Sequence, residues 1–212
     1  MTVGRTPLNG DLIYMQKYEV DKILSVCNPD DPREALLVKF LWNTGGRITE
    51  VLMARAGDLT PTGIKMTNLK QGKWVVLKDG TRVHERVVKP KVVMLSESFR
   101  KELGDIATRM DSADYFIGRK STKGRMSDAF GKEPIGRRQS WNILRRVIDR
   151  AGVTKTIKDG DPYWTPSAHT FRHGHAVHLI ENGVDIDKVR RQLGHRSIES
   201  TQIYVGSTDP AR

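Results

Sequence analysis

The sequence contains one cysteine, Cys27, so no disulfide can close within the chain, and the fold must hold without one in a reducing compartment. No uninterrupted apolar run approaches the roughly 20 residues that a membrane helix needs. The opening stretch MTVGRTPLNGDL lacks the apolar core of a secretory signal, and a cytoplasmic location is expected. Repeats, low-complexity tracts and a Pro/Ser-rich linker are also absent. The 212 residues therefore read as one domain, long enough to bury most of their apolar surface without a metal staple.

Acidic residues are in short supply: 25 Asp and Glu face 36 Lys and Arg, for a net charge of +11. The imbalance is uneven. From Arg119 to Arg150 there are ten basic residues and three acidic ones. Such a field attracts polyanions and makes their binding salt-sensitive, although a well-solvated basic surface has the same composition. Charge names a class of partner and no chemistry.

Helical spacing is present over residues 15–26, with Tyr18, Ile23 and Leu24 on one side. Asn28-Pro-Asp-Asp-Pro32 interrupts it and prepares a second, buried helix over 33–42, which Gly45 and Gly46 break. A third helix is expected over 48–54. From Gly63 to Leu95 the texture turns β-branched: a strand over 64–69, a hairpin over 74–88 around Asp79-Gly80, and a strand over 91–95 that closes a small antiparallel sheet. Helices follow over 97–110, from a Ser140 cap to Arg150, over 167–182, over 187–193, and from a Ser197 cap through Tyr204. The fold class expected is mainly α with a small antiparallel β-sheet.

Three segments carry residues too costly for an ordinary core. Thr44-Gly-Gly-Arg47-Ile-Thr-Glu50 sets an arginine fork beside glycines that let backbone approach a ligand closely. His169-Thr-Phe-Arg172-His173 places His169 and Arg172 on one helix face. His169 and His173, four apart, could also hold zinc, but Glu181 is the only acid soon after, and an arginine among zinc ligands is electrostatically awkward. His175 and His178 read as packing or capping histidines. Leu193-Gly-His195 leaves a histidine at a turn, ready to donate to an anion, with Tyr204 nine residues on. Two arginines, two histidines and a tyrosine are the groups that attack on a phosphodiester requires without a metal. Donors stabilise the charge that develops on the nonbridging oxygens. The phenol, with a pKa near 10, needs a base or a strongly positive site.

These boxes, in this order, resemble those of the tyrosine recombinase (phage integrase) family, which includes Xer, Cre, lambda-type integrases and the short Fim-type invertases. The resemblance runs from Leu12 to Tyr204. It implies the recombinase catalytic-domain fold over residues 12–212, a tail over 1–11, no separate N-terminal core-binding domain, and a prokaryotic, phage, plasmid or mobile-element setting. It implies site-specific cleavage and rejoining of double-stranded DNA through a 3′-phosphotyrosyl link at Tyr204, with no cofactor. Arg47 and Arg172 would grip the scissile phosphate, His195 would hydrogen-bond it, and His169 would serve as general base and later acid. Glu50 resembles an acid that steadies its helix, and Asp58 a structural acid. The family also uses a lysine to protonate the leaving oxygen. Lys70 is the first choice, with Lys73 and Lys78 open because the hairpin lengthens this region. The partner expected is duplex DNA bound by a homotetramer, with a monomeric or weakly associating free protein and no membrane contact. A type IB topoisomerase is disfavoured by a histidine where those enzymes resemble the pattern with lysine. A telomere resolvase is usually much larger. A non-catalytic DNA-binding module should have lost a catalytic residue.

Overall fold

The helix from Pro32 to Thr44 (α2) is the centre of the molecule. Pro32 occupies its first position, where a missing N–H costs nothing. Leu36, Leu37, Val38, Phe40, Leu41 and Trp42 are all buried, so α2 is covered on every side rather than amphipathic. The computed structural model describes residues 13–68, 72–86, 89–119, 130–153 and 166–205. Around α2 pack α1 (Lys17–Ser25), α3 (Ile48–Leu52), α5 (Arg137–Ala151) and α6 (Ala168–Glu181). Phe40 meets Phe99 of α4 (Glu97–Ala107) edge to face, ring centres 5.2 Å apart. The fold is mainly α with a small antiparallel β component, as the sequence periodicity implies.

The strand region forms two ladders among the described residues. β1 (Gly63–Asn68) pairs antiparallel with β4 (Lys89–Met94), Ile64 opposite Val93. Between them in sequence, β2 (Gly72–Val76) and β3 (Arg82–Arg86) form their own hairpin, turned at Asp79-Gly80 with Gly80 at φ 83°. Along β4, Lys91 and Val93 face inward while Val92 (49% exposed) and Met94 (58%) face solvent.

Two caps differ from expectation. Ser140 does not start α5: the helix begins at Arg137 after Gly136, and buried Ser140 donates to Arg137 O at 2.8 Å. The cause is periodicity, since positions 140, 143, 147 and 151 form one buried stripe, and the helix runs a turn further back along it. The last helix, α8 (Glu199–Gln202), follows Ile198 rather than Ser197 and stops before Tyr204. Tyr204 N instead donates to Thr201 O at 3.1 Å, a tighter turn that swings the phenol inward. There it joins a small apolar cluster with Ala176, Val177, Val189 and Leu193, between α6 and α7 (Ile186–Leu193). No described helix is long and apolar enough to cross a membrane.

Candidate active site

The site forms where the ends of α2 and α7 meet the middle of α6. α2 ends at Gly45, whose φ of 56° suits glycine; a Cβ there would lie 2.5 Å from His175 Cδ2 and 2.8 Å from Leu193 Cδ2. Arg47 follows after Gly46 and caps the start of α3. Its guanidinium donates to Glu50 Oε1 at 2.8 Å, and its backbone N–H donates to Glu50 Oε2 at 3.1 Å. Arg172, on α6 and only 5% exposed, bridges both helix ends: one terminal nitrogen donates to Gly45 O at 2.7 Å and the other to Leu193 O at 2.9 Å. Burial, and Arg47 nearby, lower its pKa to about 10, so it stays cationic at neutral pH.

A helix leaves its last four carbonyls without intrahelical donors, and at the end of α7 each has a partner. The Gly194 and His195 N–H groups donate to Arg190 O at 2.9 and 3.0 Å, and Gly194 also reaches Arg191 O at 3.1 Å, with Gly194 at φ 71°. Gln192 O accepts from Lys91 Nζ at 3.2 Å, and Leu193 O accepts from both Lys91 (3.1 Å) and Arg172. Two cations thus gather at the negative end of the helix dipole. The Lys91 ammonium also lies 3.4 Å from Glu50 Oε2. Burial, despite Glu50, drives the Lys91 pKa down to about 8, with Arg172 and Arg47 adding to the fall. Burial works against the Glu50 carboxylate, but Lys91 and the Arg47 hydrogen bonds outweigh it and hold its pKa below the ordinary value.

Past Gly194, His195 Nδ1 lies 2.9 Å from Thr201 Oγ1. Burial, then Arg172, Arg47 and Lys91, depress its pKa to about 4, so the ring is neutral near pH 7. The ring of Tyr204 lies nearly parallel to it, centres 6.3 Å apart. Tyr204 is 2% exposed, and burial raises its pKa against the pull of Arg172 and Arg47. Its hydroxyl lies 3.0 Å from His173 Nδ1. Burial, with His169 and Arg172, brings the His173 pKa down to about 4.

The structure therefore brings together Arg47, Arg172, His195 and Tyr204. His169 is exposed one turn before His173 on α6, and the hydroxyl bond of Tyr204 goes to His173. His175 is buried behind Gly45, and His178 packs on Trp42 with ring centres 5.3 Å apart. Asp58 accepts from the Arg55 N–H at 3.0 Å, a structural task. Lys70 lies outside the described residues. The backbone of Lys73 stands opposite Glu85 in the hairpin, and Lys78 is exposed at its turn. In the basic segment, Arg146 and Arg150 are drawn to buried Glu34, at 3.6 and 3.0 Å, while Arg137 and Arg138 are exposed at the start of α5. Lys91 is the residue at the site that sequence reasoning missed; His173 reads in the sequence only as part of its box and as a possible zinc ligand, not as a contact of Tyr204. Inward alternation along β4 marks Lys91, since a lysine on the buried face of a strand needs partners.

Fold and site together define an α-rich domain that holds a tyrosine against imidazole and guanidinium groups. The chain belongs to the phage integrase family, whose model matches residues 14–210. It is 29% identical over 196 residues to tyrosine recombinase XerA of Thermococcus onnurineus, covering 92% of this chain and 58% of that one. It is 32% identical over 174 residues to tyrosine recombinase XerD of Chlorobaculum tepidum, covering 81% and 48%. The chain thus spans about half the length of these relatives. Among solved structures, the fold matches XerA recombinase with a TM-score of 0.64 at 22% identity (95% of this chain, 62% of that one). It matches the catalytic domain of bacteriophage HP1 integrase at 0.57 and 22% (95% and 91%).

Proposed function

We propose that this chain is the catalytic domain of a site-specific DNA recombinase that cuts and rejoins strands through Tyr204. The observation that carries this reading is a buried tyrosine hydroxyl, already bonded to an imidazole, within the electrostatic reach of Arg172 and Arg47 of the same chain. Arg172 uses two of its five N–H groups on Gly45 and Leu193 carbonyls, which fixes the guanidinium and leaves donors for a nonbridging oxygen. Arg47 and neutral His195 complete the set of donors. Such preorganised donors are the main device for phosphoryl transfer.

In the step proposed, Tyr204 Oη attacks phosphorus, the bond to the 5′-oxygen breaks, and a 3′-phosphotyrosyl link forms. The tyrosine proton passes to an imidazole on α6, and a lysine, Lys70 by resemblance, protonates the leaving oxygen. A 5′-hydroxyl from another strand reverses the step with no external energy source, because one phosphodiester replaces another. His169, exposed on α6, is by resemblance the general base and later acid. Duplex DNA as partner is supported by the net charge and by relatives solved with DNA: XerH before and after cleavage of difH, and a lambda integrase dimer on a core site. A homotetramer on DNA, and weak association without it, complete the proposal.

The test uses a pool of nicked duplexes of randomised sequence at low salt, with covalent adducts read on a denaturing gel. Wild-type protein should form an adduct and Tyr204→Phe none. An adduct that survives the substitution, or none from the wild type, would overturn the proposal.

A further inference from the structure

We infer that Gln192 is a positioning residue: it fixes the end of α7 against the edge of β4 and thereby sets where His195 meets the scissile phosphate. The part played in cleavage rests on the recombinase reading proposed above, and three observations carry the inference. Gln192 reaches 98 residues back along the chain: its Oε1 accepts from the Met94 N–H at 2.9 Å, and its Nε2 donates to Met94 O at 2.8 Å. The carboxamide thus takes both main-chain groups of one β4 residue, as a neighbouring strand would. Arg190 ties His195 to α7 through both of its main-chain groups, the Arg190 carbonyl accepting the His195 N–H at 3.0 Å and the guanidinium donating to His195 O at 3.2 Å. The turn therefore travels with α7 as one body. α7 itself has few apolar holds, since only Val189 and Leu193 of its eight residues are buried.

Val189 and Leu193 lie four apart, a single apolar stripe about which so short a helix can roll. At Lys188 and Arg191, α7 faces β4 across an open cleft that Val92, Met94 and Val184 also line, so close packing does not block that roll. The Lys91 and Arg172 cations hold carbonyls of the same turn from the ends of long side chains. Gln192 grips main chain instead, and that main chain is fixed. β4 pairs with β1, Met94 opposite Gly63, so closely that a Cβ on Gly63 would lie 2.1 Å from Val93 O. The carboxamide therefore sets the roll of α7, while the two cations draw its last carbonyls in. A donor must stand about 2.7–3.1 Å from the oxygen it stabilises, so a roll that moves His195 by about an ångström forfeits its hydrogen bond to the phosphate.

The experiment uses Gln192→Leu, which keeps the bulk and removes both hydrogen bonds, alone and combined with His195→Asn. Without DNA, amide hydrogen exchange should show the Met94 N–H protected in the wild type and open in Gln192→Leu, and the His195 ring signals in ¹H–¹³C spectra should shift. In single-turnover adduct formation Gln192→Leu should be slower by about 10-fold, short of the roughly 100-fold that an ångström of displacement can cost. Its affinity for the same duplex should stay within about twofold and its melting temperature within about 4 °C, because a partly exposed hydrogen bond stabilises little. A merely structural loss would slow every background alike, whereas a residue acting through His195 has nothing to act on once His195 is gone. In His195→Asn the substitution should therefore change the rate by less than about twofold. A further loss of about 10-fold in that background would overturn the inference. So would a fall in affinity that accounts for the slower rate, an unprotected Met94 N–H in the wild type, or unmoved His195 signals. If His195→Asn forms too little adduct to time, the His195 signals decide. Failure of the wild type to form an adduct counts against the recombinase reading alone, since exchange and ring spectra test the placement without DNA.

Discussion

Replacing Lys91 by methionine separates two roles that a buried cation can have. Lys91 is mostly buried, its side chain 12% exposed, with its ammonium on Glu50 and on two carbonyls. A pKa drawn from 10.5 to about 8 means that the folded protein disfavours this charge by about 3 kcal/mol even with Glu50 beside it. Methionine has similar length and removes that cost. Against this, Gln192 O loses its donor, at about 1–3 kcal/mol for a buried carbonyl left unsatisfied. Leu193 O keeps Arg172, and Glu50 keeps both Arg47 hydrogen bonds. The opposing contributions nearly cancel, and stability should change by less than about 2 kcal/mol in urea denaturation.

Cleavage should not be spared. The turn that carries His195 loses one of its two cationic holds, and displacement of a catalytic group by about an ångström can cost up to about 100-fold. Adduct formation by Lys91→Met should fall by roughly 10- to 100-fold. Loss of more than about 4 kcal/mol would mean that the Arg47 hydrogen bonds cannot hold Glu50 without Lys91, and an unchanged rate would mean that Arg172 holds the turn alone; either refutes the reasoning. The pH dependence follows with a definite sign. Between pH 8 and 10.5 the unfolded lysine binds more proton than the folded one, so this group's contribution to stability rises with pH. Over the same window the site loses its cation, so Lys91-dependent cleavage falls as stability from this group grows.

Two further substitutions test the joint between the helices. Arg172→Lys keeps a charge but cannot bridge Gly45 O and Leu193 O at once; one carbonyl is left bare, and chemical denaturation should show a loss of about 1–3 kcal/mol with adduct formation abolished. An unchanged midpoint would show that the bridge contributes nothing. Gly45→Ala forces a Cβ into left-handed backbone and against the ring of His175; about 1 kcal/mol of conformational strain and 1–3 kcal/mol of overpacking are expected by thermal denaturation. A variant within about 0.5 kcal/mol of wild type would refute the claim that this contact is rigid.

The helices around the core were legible because each rests on local signals. Pro32 and Gly45 bracket α2, Gly152 and Gly194 end α5 and α7 in left-handed backbone, and Asp79-Gly80 turns the hairpin. Arg47, Arg172, His195 and Tyr204 were legible for a different reason: buried or glycine-flanked polar residues are expensive, and the sequence keeps several at fixed separations. What could not be read was the choice among equivalents. α6 is buried on most of its circumference, with Arg172 and His175 inside along with Phe171 and Val177, so no apolar stripe tells which histidine faces which neighbour. His169 and His173 share a face by spacing. The tight turn after α8, which carries Tyr204 back under α6, sets its hydroxyl 3.0 Å from His173 Nδ1, a placement that spacing alone does not give.

Lys91 is a case where the signal was present and outranked. In a strand read for its β-branched residues, a lysine looks like solvated edge, yet alternation with exposed Val92 and Met94 puts it inside. What makes an inward lysine tolerable is tertiary: two carbonyls that α7 cannot satisfy by itself, and a carboxylate from α3. The same carbonyl of Leu193 that accepts Lys91 accepts Arg172, and the residue two further on is His195. The unsatisfied end of one short helix therefore fixes, through hydrogen bonds it must find somewhere, the positions of two cations and a histidine that the proposed chemistry requires together.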